Sequence, residues 1–175
     1  MPAFNELDWT AFDFWAVVAD KGITVVPLDQ REACLASLRQ HGYRVESIDF
    51  REGIGPAYAT MNTLFRWEEN FGYELRWHDS SSLDALDDGF EFDIRPGGGT
   101  ALEIRGADKA YREDSYFFQV FLSIAGKQSL QHLALGARFF TILFLDPGNP
   151  LVGVEYRSLS VPPANTDLDR LSPWP

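Results

Sequence analysis

Positive charge is scarce in this chain. Fifteen Lys and Arg stand against 26 Asp and Glu, a formal net charge of −11. A surface that negative repels phosphate backbones, which excludes a general nucleic-acid binder and suits a basic protein partner. Cysteine is scarcer still: Cys34 is the only one, so an internal disulfide framework and any cysteine-based zinc site are excluded. No apolar run approaches the roughly 20 residues a membrane helix needs, so no membrane span is expected. The segment MPAFNELDW is acidic and lacks a basic region followed by an apolar stretch. A cytoplasmic protein without a signal peptide is the expectation. Glycine clusters only at Pro96-Gly97-Gly98-Gly99, and no Lys-Ser or Lys-Thr follows. That run reads as a turn before a strand, not a phosphate-binding loop.

What is present suffices for a packed core: 45% hydrophobic residues and 14% aromatics in 175 residues, the size of one domain spanning 1–175. Residues 5–20 place Leu7, Phe12, Trp15 and Val18 near helical spacing. ITVVPL (23–28) reads as a strand that Pro27 confines to an edge or an end. Asp29 and Glu32 suggest a capping box for a helix over 30–41, with Gly42 closing it. A strand over 43–50 and a helix opening near Pro56 and running to about Trp67 follow. TALEIR (100–105) is a strand. Asp114 or Ser115 caps a helical region through Leu135, and its apolar phase slips near Gly126, which predicts a kink or a break there. FFTILFL (139–145) has the continuous apolar character of a strand buried on both faces. Residues 151–161 read as a hairpin partner and the Pro-rich tail as irregular.

Strands alternating with helices predict an α/β fold: a small, mostly parallel sheet flanked by helices, with an antiparallel strand at one edge. Two placements follow. Strands 100–105 and 139–145 should be parallel neighbours. Residues 23–50 should add a β-α-β unit to the same sheet, covered in part by Trp9, Phe12 and Trp15.

Charge is uneven. Residues 68–93 hold nine acids and one base, Arg76, and so carry eight of the eleven net negative charges. Trp67, Phe71, Tyr73, Trp77, Phe90 and Phe92 lie among them, a mixture typical of an interface. Within this stretch LDALDDGFE has helical geometry. Leu83, Leu86 and Phe90 share a face that can dock on the sheet, while Asp84, Asp87, Asp88 and Glu91 share another. Ser82 suits the N-cap, and Asp84 in the first turn complements the helix dipole. Asp84 and Asp88 repel at four-residue spacing, and no Lys or Arg occurs in 77–94 to offset them. A basic partner relieves that repulsion; a merely solvated helix face is the plain alternative.

Catalytic readings fare worse. Two carboxylates on one short exposed helix lack the burial that makes a general acid. His78 and Asp79 have no second histidine at metal-ligand spacing, and His41 and His132 stand apart. Ser80, Ser81 and Ser82 lack a G-x-S-x-G context. Cys34 lies on an apolar helix face, where a buried structural thiol is expected. No catalytic residue, metal or cofactor is assigned.

The run Leu83-Asp84-Ala85-Leu86-Asp87-Asp88 resembles the L-D-A-L-x-D signature of the barstar family, inhibitors of the ribonuclease barnase. Phe71-Gly72-Tyr73 is the nearest equivalent of the Tyr-Gly that precedes it in that family. The order of elements over about 44–146 is similar as well, with extensions at 1–43 and 147–175. Ser82 replaces the signature's Asn, Asp87 an aromatic residue, and 74–81 lengthens the loop. The resemblance implies a barstar-like sheet and helices without enzymatic activity. It also implies an inhibitor or immunity protein that blocks a basic ribonuclease toxin through an acidic helix and the loop before it. Tyr73, Trp77, Asp84, Asp87, Asp88 and Glu91 are the expected partner-binding residues, with Asp84 and Asp88 standing in for RNA phosphates. The alternative is a barstar-fold interaction module with a non-nuclease partner; a carboxylate-dependent hydrolase is a third class.

Overall fold

The structure, a computed structural model, describes residues 3, 4, 8, 11–77, 82–90, 92, 94, 98–156 and 159–162. Four strands form one all-parallel sheet: β1 (Ile23–Pro27), β2 (Arg44–Asp49), β3 (Gly99–Arg105) and β4 (Arg138–Leu145), in the spatial order β1-β4-β3-β2. Register pairs Ile23 with Thr141, Gly99 with Arg138, and Arg44 with Thr100. The expected parallel pairing of 100–105 with 139–145 is therefore present. β4 is buried along its whole length, as its unbroken apolar run requires.

β1 and β2 both join this sheet, as expected of residues 23–50, and they take its opposite edges, with β4 and β3 between them. The strongest apolar strand takes the middle, where burial on two faces is greatest. The expected antiparallel edge strand differs: among the described residues none edges this sheet. β5 (Glu155–Tyr156) and β6 (Leu159–Ser160) pair antiparallel with each other as a separate two-stranded ribbon.

Helices cover both faces. The chain crosses from β1 to β2 in one direction and returns through β3 to β4 in the other. A common right-handed crossover then places the connections on opposite faces. Accordingly α2 (Arg31–Gln40) packs on one face, with α1 (Phe12–Phe14) and the π turn that continues it (Trp15–Ala19), over Val26, Ala101, Phe140 and Ile142. The other face, with Ile23, Val25, Ile48, Leu102 and Leu143, carries α3 (Ile54–Leu64), α4 (Trp67–Phe71), α5 (Ser82–Gly89), α6 (Ala107–Glu113) and α7 (Ser115–Ala134).

Described residues of the N-terminal arm, among them Ala3, Ala16 and Val17, are packed. Phe12 is buried, but Trp15 is half-exposed, and Trp9 lies outside the described residues. A closed polar cluster holds the arm to the sheet. Arg138 Nη1 donates to Asp13 Oδ2 (3.0 Å), Arg138 Nε to the Ala3 carbonyl (2.7 Å), and the Tyr43 hydroxyl to Asp13 Oδ2 (2.5 Å). Burial, with Asp13 beside it, pushes the Tyr43 phenol well above its usual range.

Three local readings are also revised. No side chain caps α2, and a 3-10 turn (Leu28–Gln30) precedes it; Glu32 pairs with Arg31 instead of closing a box with Asp29. The helix from Ile54 stops at Leu64, and Arg66 at φ 48° turns the chain into α4. α7 runs unbroken through Gly126. Its buried face continues as Gly126, Gln128, Ser129 and His132, while Leu130 is exposed. Small and polar residues occupy that face because β1 approaches it: a Cβ on Gly22 would lie 2.2 Å from Ser129 Cβ. Asp114 caps α7 as expected, accepting from Phe117 N (2.9 Å).

Candidate functional site: the acidic helix and the aromatic turn beside it

α5 is anchored from one side. Leu86 and Phe90 are fully buried and Leu83 is half-buried, as the spacing predicts. Phe90 sits among Phe65, Phe92, Phe121 and Phe139, with ring centroids 4.7–6.2 Å apart. Gly89 allows the closest approach: a Cβ there would lie 2.2 Å from Trp67 Cζ3 and 2.9 Å from Phe71 Cε2. The lone glycine in LDALDDGFE is the sequence signal for this contact, and it escapes a reading based on charge.

The opposite side carries the carboxylates. Asp84 and Asp88 are exposed, and neither has an ion-pair partner among the described residues. Asp87 differs. Lys127 Nζ, from α7, donates to both of its oxygens (2.9 and 2.7 Å), so a cation forty residues away offsets part of the charge that the local sequence leaves uncompensated. Glu91, His78, Asp79, Ser80 and Ser81 lie outside the described residues.

The aromatics divide into two groups. Trp67, Phe90 and Phe92 belong to the core. Phe71 and Tyr73 are 43% and 49% exposed: Phe71 stands beside Gly89 at the end of α5 and packs, tilted, on Trp67 at 4.7 Å, and Tyr73 lies 6.4 Å from Phe71. Tyr73, Phe71 and Asp88 thus border one surface. Trp77 is not part of it. It is half-buried against Gly55 at the start of α3, in a separate groove. Asn62 orders the intervening segment, donating to the Leu75 carbonyl (2.9 Å) and accepting from Leu75 N (2.8 Å).

The remaining candidates have structural places. Cys34 is buried, and desolvation with Glu103 nearby pushes its thiol up to about 12, which removes it as a nucleophile. His41 ends α2, its Nδ1 2.9 Å from the Ser37 carbonyl, and His132 lies against Phe139. Among the described residues no group of three His, Cys, Asp or Glu side chains is placed to hold a metal ion, and no helix is long and apolar enough to cross a membrane. No family model, curated protein or solved structure matches the chain.

Proposed function

We propose that this protein is a barstar-like inhibitor that binds and blocks a basic ribonuclease toxin through α5 and the turn at Phe71–Tyr73. The observation that carries this reading is the pair of exposed carboxylates, Asp84 and Asp88, on a helix locked into the core by Leu86, Phe90 and Gly89. Anchoring from below presents both charges without the loss of freedom that a loop incurs on binding. Exposed Phe71 and Tyr73 beside them supply apolar area at low entropic cost. The net charge of −11 adds long-range attraction for a cationic active site. On this reading the protein works in the cytoplasm, where such a toxin must be silenced, and performs no chemistry itself.

Calorimetric titration against a panel of basic bacterial ribonucleases tests it. Asp88→Ala should weaken binding by about 30-fold to several thousand-fold, the range for truncating one member of a desolvated charge pair. Folding stability should change by no more than about 0.5 kcal/mol, because Asp88 is exposed. Association should slow as salt rises. Absence of binding to every nuclease, or equal affinity of wild type and variant, rejects the proposal.

A further inference from the structure

Among the described residues one cation reaches the carboxylates of α5, and it comes from inside the molecule. Lys127 Nζ donates to Asp87 Oδ1 (2.9 Å) and Oδ2 (2.7 Å), so a single ammonium engages both oxygens. The two residues belong to helices already fixed against each other, since Phe90 of α5 packs on Phe121 of α7 with ring centroids 5.8 Å apart. The bridge therefore closes through side chains alone. The side chain of Lys127 is 51% exposed and that of Asp87 36%, so water reaches the pair. Asp84 and Asp88, before and after Asp87 in the chain, are exposed and have no ion pair among the described residues.

Asp84 and Asp87 are neighbours on the helix surface at three-residue spacing, so a cation that docks on Asp84 comes within reach of Asp87. There it meets Lys127, and like charge opposes its approach until that ammonium moves away. The bridge is weak enough to open: a half-exposed pair of this kind favours the closed state by only about two- to fivefold. Room for the open state lies beside it. Lys127 borders a hollow of about 430 Å³ lined by Gly126, Leu130 and Ala134. The aliphatic stem of Lys127 can lie on Leu130 there while its ammonium stays in water. Lys21 shares the hollow, so the ammonium gains nothing by entering and remains at its edge.

We infer that the Lys127–Asp87 bridge is an autoinhibitory contact. Lys127 occupies Asp87 as a cation of the partner would, confines first contact to Asp84 and Asp88, and lowers affinity for a basic partner until it is displaced toward the hollow. The inference rests on the function proposed above, in which α5 receives a cationic partner.

The test follows the side-chain carboxyl ¹³C resonances of Asp84, Asp87 and Asp88 as the capped tripeptide acetyl-Arg-Arg-Arg-amide is added at low salt. In the wild type Asp84 and Asp88 should shift, and Asp87 should move less. In Lys127→Ala all three should shift, and peptide affinity should rise about two- to fivefold, the effect of removing one competing exposed charge. Arg112→Ala takes a cation from an ion pair with Asp108 on α6 (2.7 Å) and controls for net charge; its gain should be smaller. In the Asp87→Asn background Lys127→Ala should bring no gain, as coupling between the two residues requires. These side chains lie in exposed or half-exposed ion pairs, so folding should survive each change. Equal gains from Lys127→Ala and Arg112→Ala, a gain that persists in Asp87→Asn, or unmoved α5 resonances at millimolar peptide overturn the inference. If the peptide follows the expected pattern while no ribonuclease binds, the contact stands and its assigned partner falls. If Asp88→Ala weakens ribonuclease binding while Lys127→Ala leaves peptide affinity unchanged, the autoinhibitory contact alone is rejected.

Discussion

Asp13 and Asp88 are the same side chain under opposite conditions. Asp13 is buried where the N-terminal arm meets the sheet, and there Arg138 and Tyr43 donate to one of its oxygens and Phe14 N to the other (3.1 Å). Asp88 stands in water with no ion-pair partner among the described residues, on a helix whose other side is core. A buried carboxylate must be matched completely, because desolvation penalises any unanswered charge. An exposed one is tolerated without a match, because water screens its repulsion. The molecule pairs charge where burial leaves no choice, on the α2 face. It leaves charge unspent on the α5 side, where a partner can use it. Glu103 extends the first pattern: it is buried on β3 and held by Arg31 (2.5 and 3.0 Å) and Arg105 (3.1 Å).

The largest effect is expected at the sealed cluster. Asp13→Ala leaves the Arg138 charge buried without its carboxylate, and should lower unfolding free energy by about 3–5 kcal/mol in urea titration. A loss under about 1 kcal/mol would erase the distinction between the two faces. Gly89→Ala comes next. The new methyl meets the buried Trp67 ring, so overpacking of about 1–3 kcal/mol opposes the helical gain of about 1 kcal/mol from alanine. Net destabilisation, together with weaker nuclease binding as α5 shifts, would show that the exposed charges depend on the anchor beneath them.

Lys127→Ala tests the half-exposed pair with Asp87. Stability should fall by about 0.2–1 kcal/mol, and the loss should shrink in high salt. The smallest effect concerns Asp20, an intermediate case. Burial raises its pKa above 3.8, an effect that the neighbouring Thr24 hydroxyl partly offsets. A carboxyl that holds its proton more tightly in the folded state lowers stability once ionised and contributes no such penalty below 3.8. Asp20→Asn should therefore be slightly more stable than wild type at pH 7, with the difference fading as pH falls through 3.8. Melting curves at pH 3 and pH 7 check the sign.

Much of this was legible in the chain alone. Alternating apolar runs marked all four sheet strands, and the Leu83–Leu86–Phe90 spacing marked the buried side of α5. Those are local signals, because period and burial are written in adjacent residues. The segment α6 (107–113) escaped, since ADKAYRE is too polar to show a strong apolar stripe. The Asp87–Lys127 pair escaped because its members are forty residues apart. Trp77 was grouped with Tyr73 by proximity in sequence, yet packing on Gly55 sends it to another groove.

The sequence by itself determined the class of fold, the parallel pairing of β3 with β4, and a helix with one apolar and one acidic side. Each follows from side-chain periodicity and charge, which a linear chain carries in full. Only the tertiary structure decided that β1 and β2 take opposite edges, that Trp67 is wedged between α5 and a groove, and which carboxylates are answered. Those outcomes depend on which distant surfaces fit together, and no local pattern encodes the meeting of Asp13 with Arg138 across 125 residues.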